Sequence, residues 1–400
     1  MQNYWNETEA AQISSDLDMR VYTSRLLGKD MNLVMHGGGN TSVKSQVNGE
    51  DILYVKGSGW DLETIEPAGF APVKLDALLK MAELDSMSDM DMVAQQREAM
   101  IDASAPNPSV EAILHAVIPF KFVDHTHADA LVTISNTPNG EAILKELYGD
   151  TVLFVPYVMP GFILAKAVYE QTKNVDWSNI KGMVLMNHGL FTFSDSGKDA
   201  YNMMVELAGM AEDYLQSKTH LPTLQGAHEI SEEYLEELVG CVAQIKSPDA
   251  PEEVIGLVNE SVVSQIFAQQ SDSVLKQVSV LTPDHIIRTK QKPVILSGDI
   301  ARIEDEVQAY ISSYKAYFNQ HQTHEICLNP APHYAVIKGV GSVAFGKSEK
   351  EVEIIQDIND HTFEAILRAQ DLGGYQPLSD AELFEMEYWE LEQAKLKKSS

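Results

Sequence analysis

The sequence predicts an α/β protein in two parts, and three observations carry that expectation. Between about residues 8 and 220, short apolar or β-branched runs alternate with segments of helical periodicity, the order that builds a sheet layered with helices. The chain has 400 residues, more than one hydrophobic core usually organises, so a second domain is expected. The Pro- and Gly-punctuated stretch from Leu221 to Gly226 is the best link between the two.

Residues 8 to 29 read as one amphipathic helix with Ile13, Leu17, Tyr22 and Leu26 on a common face. Three glycines follow in His36-Gly37-Gly38-Gly39-Asn40-Thr41-Ser42-Val43-Lys44, a loop whose amides and side-chain donors suit an anion. Thr41 to Val47 alternates as a strand, turns at Asn48-Gly49, and returns through Ile52 to Val55. The second strand runs into Lys56-Gly57-Ser58-Gly59-Trp60-Asp61, another small-residue corner with donors. Helical patterning then covers 75–84 and 90–101.

Pro106 to Ser109 reads as a turn, with Ser109 the N-cap of a helix through Val110 to Ala116. Glu111 in its first turn has two readings, a dipole-favoured surface carboxylate or one pointed into a site. Helices are expected at 129–135, 141–147, 162–169 and 197–216, and strands at 152–158, 182–186 and 190–193. Beyond the link, helices are expected at about 230–246 and 251–268. The order apolar strand, glycine turn, short strand, helix at 334–368 repeats that at 183–217, which suggests a degenerate internal copy without the histidine. Its Gly339-x-Gly341-x-x-Ala344 also fits a dinucleotide fingerprint by spacing, but β character continues where that fingerprint needs a helix to open.

Chemistry concentrates at Val123-Asp124-His125-Thr126-His127 and Met186-Asn187-His188-Gly189. Residues i and i+2 of a strand share a face, so His125 and His127 present two imidazoles about 7 Å apart along the chain. His188 completes a set of three imidazoles with an open position, the donor set of a catalytic divalent ion, most often zinc.

A formal charge of −30 argues against non-specific nucleic-acid binding, because a phosphate backbone is repelled at every approach. The only cysteines, Cys241 and Cys327, are too few for a disulfide framework and suggest a reducing, cytoplasmic setting. No apolar run suggests a signal peptide or a membrane span.

Five ordered motifs, Gly39-Asn40-Thr41-Ser42, Lys56 to Asp61, Ser109-x-Glu111, His125-x-His127 and Asn187-His188-Gly189, resemble the class II aldolase/adducin family. The resemblance is closer to the aldolase part of rhamnulose-phosphate aldolase/short-chain dehydrogenase fusions and extends through Thr282 to Lys290 and Glu387 to Lys395. It implies a three-layer αβα domain over 1–222 with a largely antiparallel sheet, and an α/β lobe over 223–400. It also implies a homo-oligomer, often a tetramer. The chain stops near where the fusions begin their dehydrogenase, so the expectation is that a separate dehydrogenase acts on the aldehyde product.

The implied activity is reversible cleavage of a ketose 1-phosphate to dihydroxyacetone phosphate and an aldehyde. His125, His127 and His188 would hold Zn2+, Mn2+ or Co2+, with Glu111 as acid/base. Asn40, Ser58, Gly59 and Ser109 match the family's phosphate-binding positions, and Lys44 and Lys56 are expected as helpers. The same resemblance leaves open a sugar-phosphate 4-epimerase, a dehydratase, and a non-enzymatic adducin-like scaffold.

Overall fold

A computed structural model describes residues 1–226, 228–247 and 254–391. The chain divides into two compact units, Met1–Ser135 with Gly140–Ser217, and Asn136–Asn139 with Lys218–Ser400.

In the first unit the elements run α1 (Glu7–Ala10), α2 (Asp16–Gly28), β1 (Asn40–Val47), β2 (Glu50–Lys56), β3 (Phe70–Lys74), α3 (Leu75–Glu83), α4 (Asp89–Glu98) and α5 (Ala112–Val117). They continue with β4 (Phe122–Thr126), α6 (Asp129–Ser135), α7 (Gly140–Tyr148), β5 (Val152–Val155), α8 (Phe162–Thr172), β6 (Gly182–Leu185), β7 (Gly189–Ser194) and α9 (Gly197–Lys218). The sheet order is β3-β2-β1-β4-β7-β6-β5, antiparallel throughout except for the β5–β6 pair. The expected mixed, largely antiparallel sheet is what the chain builds.

Alternation along the central strand sorts the core. Val123 packs in the large apolar cluster with residues of α3, α5 and α8, while Phe122 packs on the opposite face with Ala200 of α9. His125 therefore points toward the α5 side, and Asp124 toward α2.

One helix expectation is corrected here, and one strand is added to those expected. The single helix over 8–29 is two, because the Ser15 side chain accepts the Asp18 amide and starts a new helix after α1 has ended. Strand β3 escaped the pattern because it contains Pro72, a residue tolerated only at a sheet edge, and β3 is the edge. The Asn48-Gly49 hairpin is present, with left-handed φ of 52° and 86°.

The second unit holds α10 (Glu232–Lys246), β8 (Ile255–Asn259), α11 (Val262–Ala268), α12 (Asp272–Leu275), α13 (Ile286–Thr289) and β9 (Val294–Leu296). It ends with α14 (Ile303–His321), β10 (Tyr334–Ile337), β11 (Gly341–Gly346), α15 (Glu349–Ala369) and α16 (Asp380–Glu387). Its sheet order is β8-β11-β10-β9.

The helix expected over 251–268 is corrected to strand β8 followed by α11, since residues 255–259 pair with β11 and Ser261 caps the helix; residues 251–253 lie outside the described ones, as do Glu392 to Lys395 of the last resemblance motif. The glycines of the dinucleotide-like spacing lie in the β10–β11 hairpin, and α15 opens only at Glu349 behind the Ser348 cap. That is hairpin geometry, not a helix N-terminus over a pyrophosphate.

Candidate metal and acid/base site

Each candidate side chain owes its position to a local rule. His125 sits mid-strand in β4, with Asn40 paired to it on β1 and Phe191 on β7. His127 follows β4, anchored by its amide to the Leu33 carbonyl at 3.1 Å. His188 lies in the β6–β7 turn, where Asn187 takes a left-handed φ of 60° and Ser135 bonds the Asn187 amide at 3.1 Å. Gly189 is required beside it. A Cβ there would stand 2.3 Å from the Thr126 carbonyl oxygen and 2.9 Å from the His125 ring.

The three rings converge. Their centroids are 5.0–5.1 Å apart, their ligand nitrogens all lie within 4.8 Å of one another, and all three residues are buried. His125 is stacked on Phe191 at 4.2 Å, and its Nδ1–H donates to the Leu190 carbonyl at 3.2 Å. That bond leaves Nε2 as the lone-pair nitrogen facing the cluster. The donor chemistry fits a divalent ion.

Glu111 belongs to the same cluster. Its Oε2 lies 3.5 Å from His125 Nε2 and its Oε1 3.7 Å from His188 Nε2, with the side chain 5 % exposed. Of its two sequence readings, the exposed surface carboxylate is ruled out. Glu111 itself is the N-cap of α5, which corrects the expectation for Ser109; the Ser109 hydroxyl instead accepts the Glu111 amide at 3.3 Å.

Asn40 spans two neighbours. Its amide nitrogen donates to Glu111 Oε2 and its amide oxygen meets His115 Nε2, each at 2.5 Å. Ser58 and Ser109 come together from separate loops, through Ser58 N–H to the Asn107 carbonyl at 2.8 Å and Ser109 N–H to the Lys56 carbonyl at 3.0 Å. Gly59, at φ 87°, leaves open space where a Cβ would stand. Lys56 bonds the Gly37 carbonyl at 2.8 Å, tying the two glycine corners together. Lys44 points elsewhere: its ammonium bonds the carbonyls of Ile118 and Phe120, the latter at 2.9 Å, and burial pushes it down to about 7.

Two supports were not anticipated from sequence. Arg20 and Asp124 form a fully buried ion pair at 2.6 Å behind the β4 strand, where burial pushes the carboxyl up and the guanidinium down while each charge opposes the other's shift. His115, also fully buried, bonds both Asn40 and Ser42. The readable signals were Glu111-x-x-x-His115, one helical turn apart, and Asn40-x-Ser42, on one strand face.

Residues 19–215 match the class II aldolase and adducin N-terminal domain, and residues 229–396 match the class II aldolase second domain. The chain is 30% identical over 418 residues to the uncharacterized oxidoreductase YuxG of Bacillus subtilis (strain 168), covering 99% of this chain and 60% of that protein. It thus spans three fifths of that relative's length. Among solved structures it is similar to the N-terminal class II aldolase domain of a conserved protein from Thermoplasma acidophilum: 43% identity, TM-score 0.50, covering 54% of this chain and 99% of that one. It is also similar to an L-fuculose-1-phosphate aldolase from Thermus thermophilus, at 18% identity and TM-score 0.32, covering 50% of this chain and 95% of that one. With both family domains matched in order and the five motifs standing on the elements just described, the chain belongs to the class II aldolase/adducin family.

Proposed function

We propose that this chain is a divalent-metal-dependent aldolase that reversibly cleaves a ketose 1-phosphate into dihydroxyacetone phosphate and an aldehyde. The observation that carries the reading is the Glu111 carboxylate, within 3.5 Å and 3.7 Å of two of three clustered imidazoles. A scaffold has no use for a buried carboxylate at that point, since burying it costs free energy that only its partners offset. An enzyme needs a proton acceptor there.

His125, His127 and His188 would hold the ion, with zinc the first choice for three imidazoles. When bound, it supplies a Lewis acid to the substrate's ketone and hydroxyl oxygens. Glu111 takes up and returns the proton, a role that requires it within hydrogen-bond reach of the reacting carbon's substituents. Ser58, Gly59, Ser109 and the second side-chain N–H of Asn40 are assigned to the phosphate, where amide and hydroxyl donors suit a dianion. Burial of the histidines excludes bulk water from the developing charge.

The test is metal analysis followed by a retro-aldol screen of ketose 1-phosphates, coupled to reduction of dihydroxyacetone phosphate. Turnover is expected with the ion and should vanish on chelation, returning when zinc, manganese or cobalt is restored. Absence of dihydroxyacetone phosphate from every ketose 1-phosphate, with metal-loaded and folded protein, would remove the aldolase reading.

A further inference from the structure

A buried imidazole lies just outside the three that cluster, and the proposed mechanism makes no use of it. His115 is on α5, one turn after Glu111, with no exposed surface, and its ring packs edge-on to Phe191 at 5.4 Å. Its Nδ1 is 2.8 Å from the Ser42 hydroxyl and its Nε2 2.5 Å from the Asn40 side-chain oxygen. A histidine buried among Ile113, Leu114 and Phe191 is costly unless both nitrogens are bonded, and here both are.

The directions of these bonds follow from one end. The Asn40 amide has two chemically opposite ends, and the one that meets Glu111 Oε2 at 2.5 Å must donate, because a carboxylate can only accept. The Asn40 oxygen therefore faces His115 and must accept. Desolvation holds the His115 ring well below the usual histidine range, so it is neutral and has one N–H to give. That N–H is on Nε2, and Nδ1 accepts from the Ser42 hydroxyl. Ser42, His115, Asn40 and Glu111 then form a chain in which every donor points toward the carboxylate. Reversing any one link would set the Asn40 oxygen against it.

Resting on the acid/base assignment of Glu111, we infer that His115 is a positioning residue: its Nε2–H holds the Asn40 oxygen, so that the Asn40 N–H, not its oxygen, meets Glu111, while the Ser42 hydroxyl donates to Nδ1 on the other side of the ring. The register supports this placement. Asn40 and Ser42 alternate on one face of β1, Asn40 pairs with His125, and Glu111 and His115 share one side of the start of α5. The network thus meets the carboxylate at Oε2, the oxygen that also lies 3.5 Å from His125 Nε2.

The first test needs no activity. In metal-free protein labelled with 15N-histidine, the His115 resonances, identified by their loss in His115→Gln, should show a neutral ring protonated at Nε2. An Nδ1–H tautomer or an imidazolium overturns the inference. The second test uses variants. Glutamine can place an amide N–H where Nε2–H stands, so His115→Gln should keep turnover within a few-fold. His115→Asn reaches Ser42 but not Asn40, and His115→Leu reaches neither; both should lower kcat by about 10- to 100-fold, the scale for a lost outer partner, with KM and metal content unchanged. Equal loss in all three variants, or a loss confined to KM, overturns it too. If no ketose 1-phosphate is turned over by the unaltered protein, the proposed function fails, while the tautomer still decides the relay.

Discussion

Three imidazoles are the fewest that hold an exchangeable divalent ion against water and buffer, so in the proposed site each of His125, His127 and His188 would carry a full share of the affinity. Replacing His188 with alanine should drop bound metal from about one ion per chain to a small fraction, read by elemental analysis after desalting. Full occupancy in that variant would take His188 out of the site. Glu111→Gln is a different experiment. The side-chain oxygen of glutamine can still accept from Asn40, so shape and metal content should persist while turnover falls roughly 10²-fold or more, the usual scale for a lost acid/base group. Near-normal turnover would free Glu111 from that role. At this scale the sequence was informative where chemistry dictates spacing: His-x-His on a strand needs no tertiary knowledge to share a face. For His115 the spacings Glu111-x-x-x-His115 and Asn40-x-Ser42 give a shared face but not a partner, and for Arg20 there is no local signal: Asn40 and Asp124 are far away along the chain, and packing sets both pairings.

Elements with one strong pattern were legible, and those decided by pairing were not. The Asn48-Gly49 hairpin and the helix at Gly197–Lys218 follow from turn chemistry and periodicity. Strand β8 lies in a stretch whose sequence suits a helix, because Ile255 to Asn259 has no strict alternation, and only the ladder with β11 makes it a strand. Short α13 carries a further constraint that no periodicity reveals. Lys290 at its end adopts a left-handed φ of 60°, and its ammonium lies 3.8 Å from the Glu387 carboxylate of α16 and 3.7 Å over the Tyr314 ring of α14. Burial pushes this amine from 10.5 down to about 8. The folded protein thus releases the proton more readily than the unfolded chain, so stability should rise with pH between about 8 and 10.5, by at most about 3 kcal/mol. Urea midpoints at pH 8, 9 and 10 should show the rise, and it should be smaller in Lys290→Met, where the buried Lys44 amine still contributes to it. A flat profile in the unaltered protein would show that this lysine is not perturbed.

For the whole molecule, the question is whether the second unit is a degenerate copy of the first. The first unit has β5 parallel to β6, β6 antiparallel to β7, and a 22-residue helix; the second has β9 parallel to β10, β10 antiparallel to β11, and a 21-residue helix. The agreement extends to single hydrogen bonds. Met186 N–H meets the Val155 carbonyl at 3.0 Å where Lys338 N–H meets Leu296 at 2.9 Å, and His188 N–H meets Leu185 at 3.1 Å where Val340 N–H meets Ile337 at 3.0 Å. Thr126 faces Leu190, the second residue of β7, and Asn259 faces Ser342, the second residue of β11. This correspondence puts Val258, Glu260 and Val340 where His125, His127 and His188 stand. The proposal is that the second unit keeps the frame and has lost the ligands, so the native chain binds a single ion. If so, the frame should accept them back. The triple variant Val258→His, Glu260→His, Val340→His should bind a second equivalent of zinc or cobalt, with the first retained. A folded triple variant that binds only one would mean that the strands match in order but not in geometry, and the lobe would then be an unrelated α/β appendage.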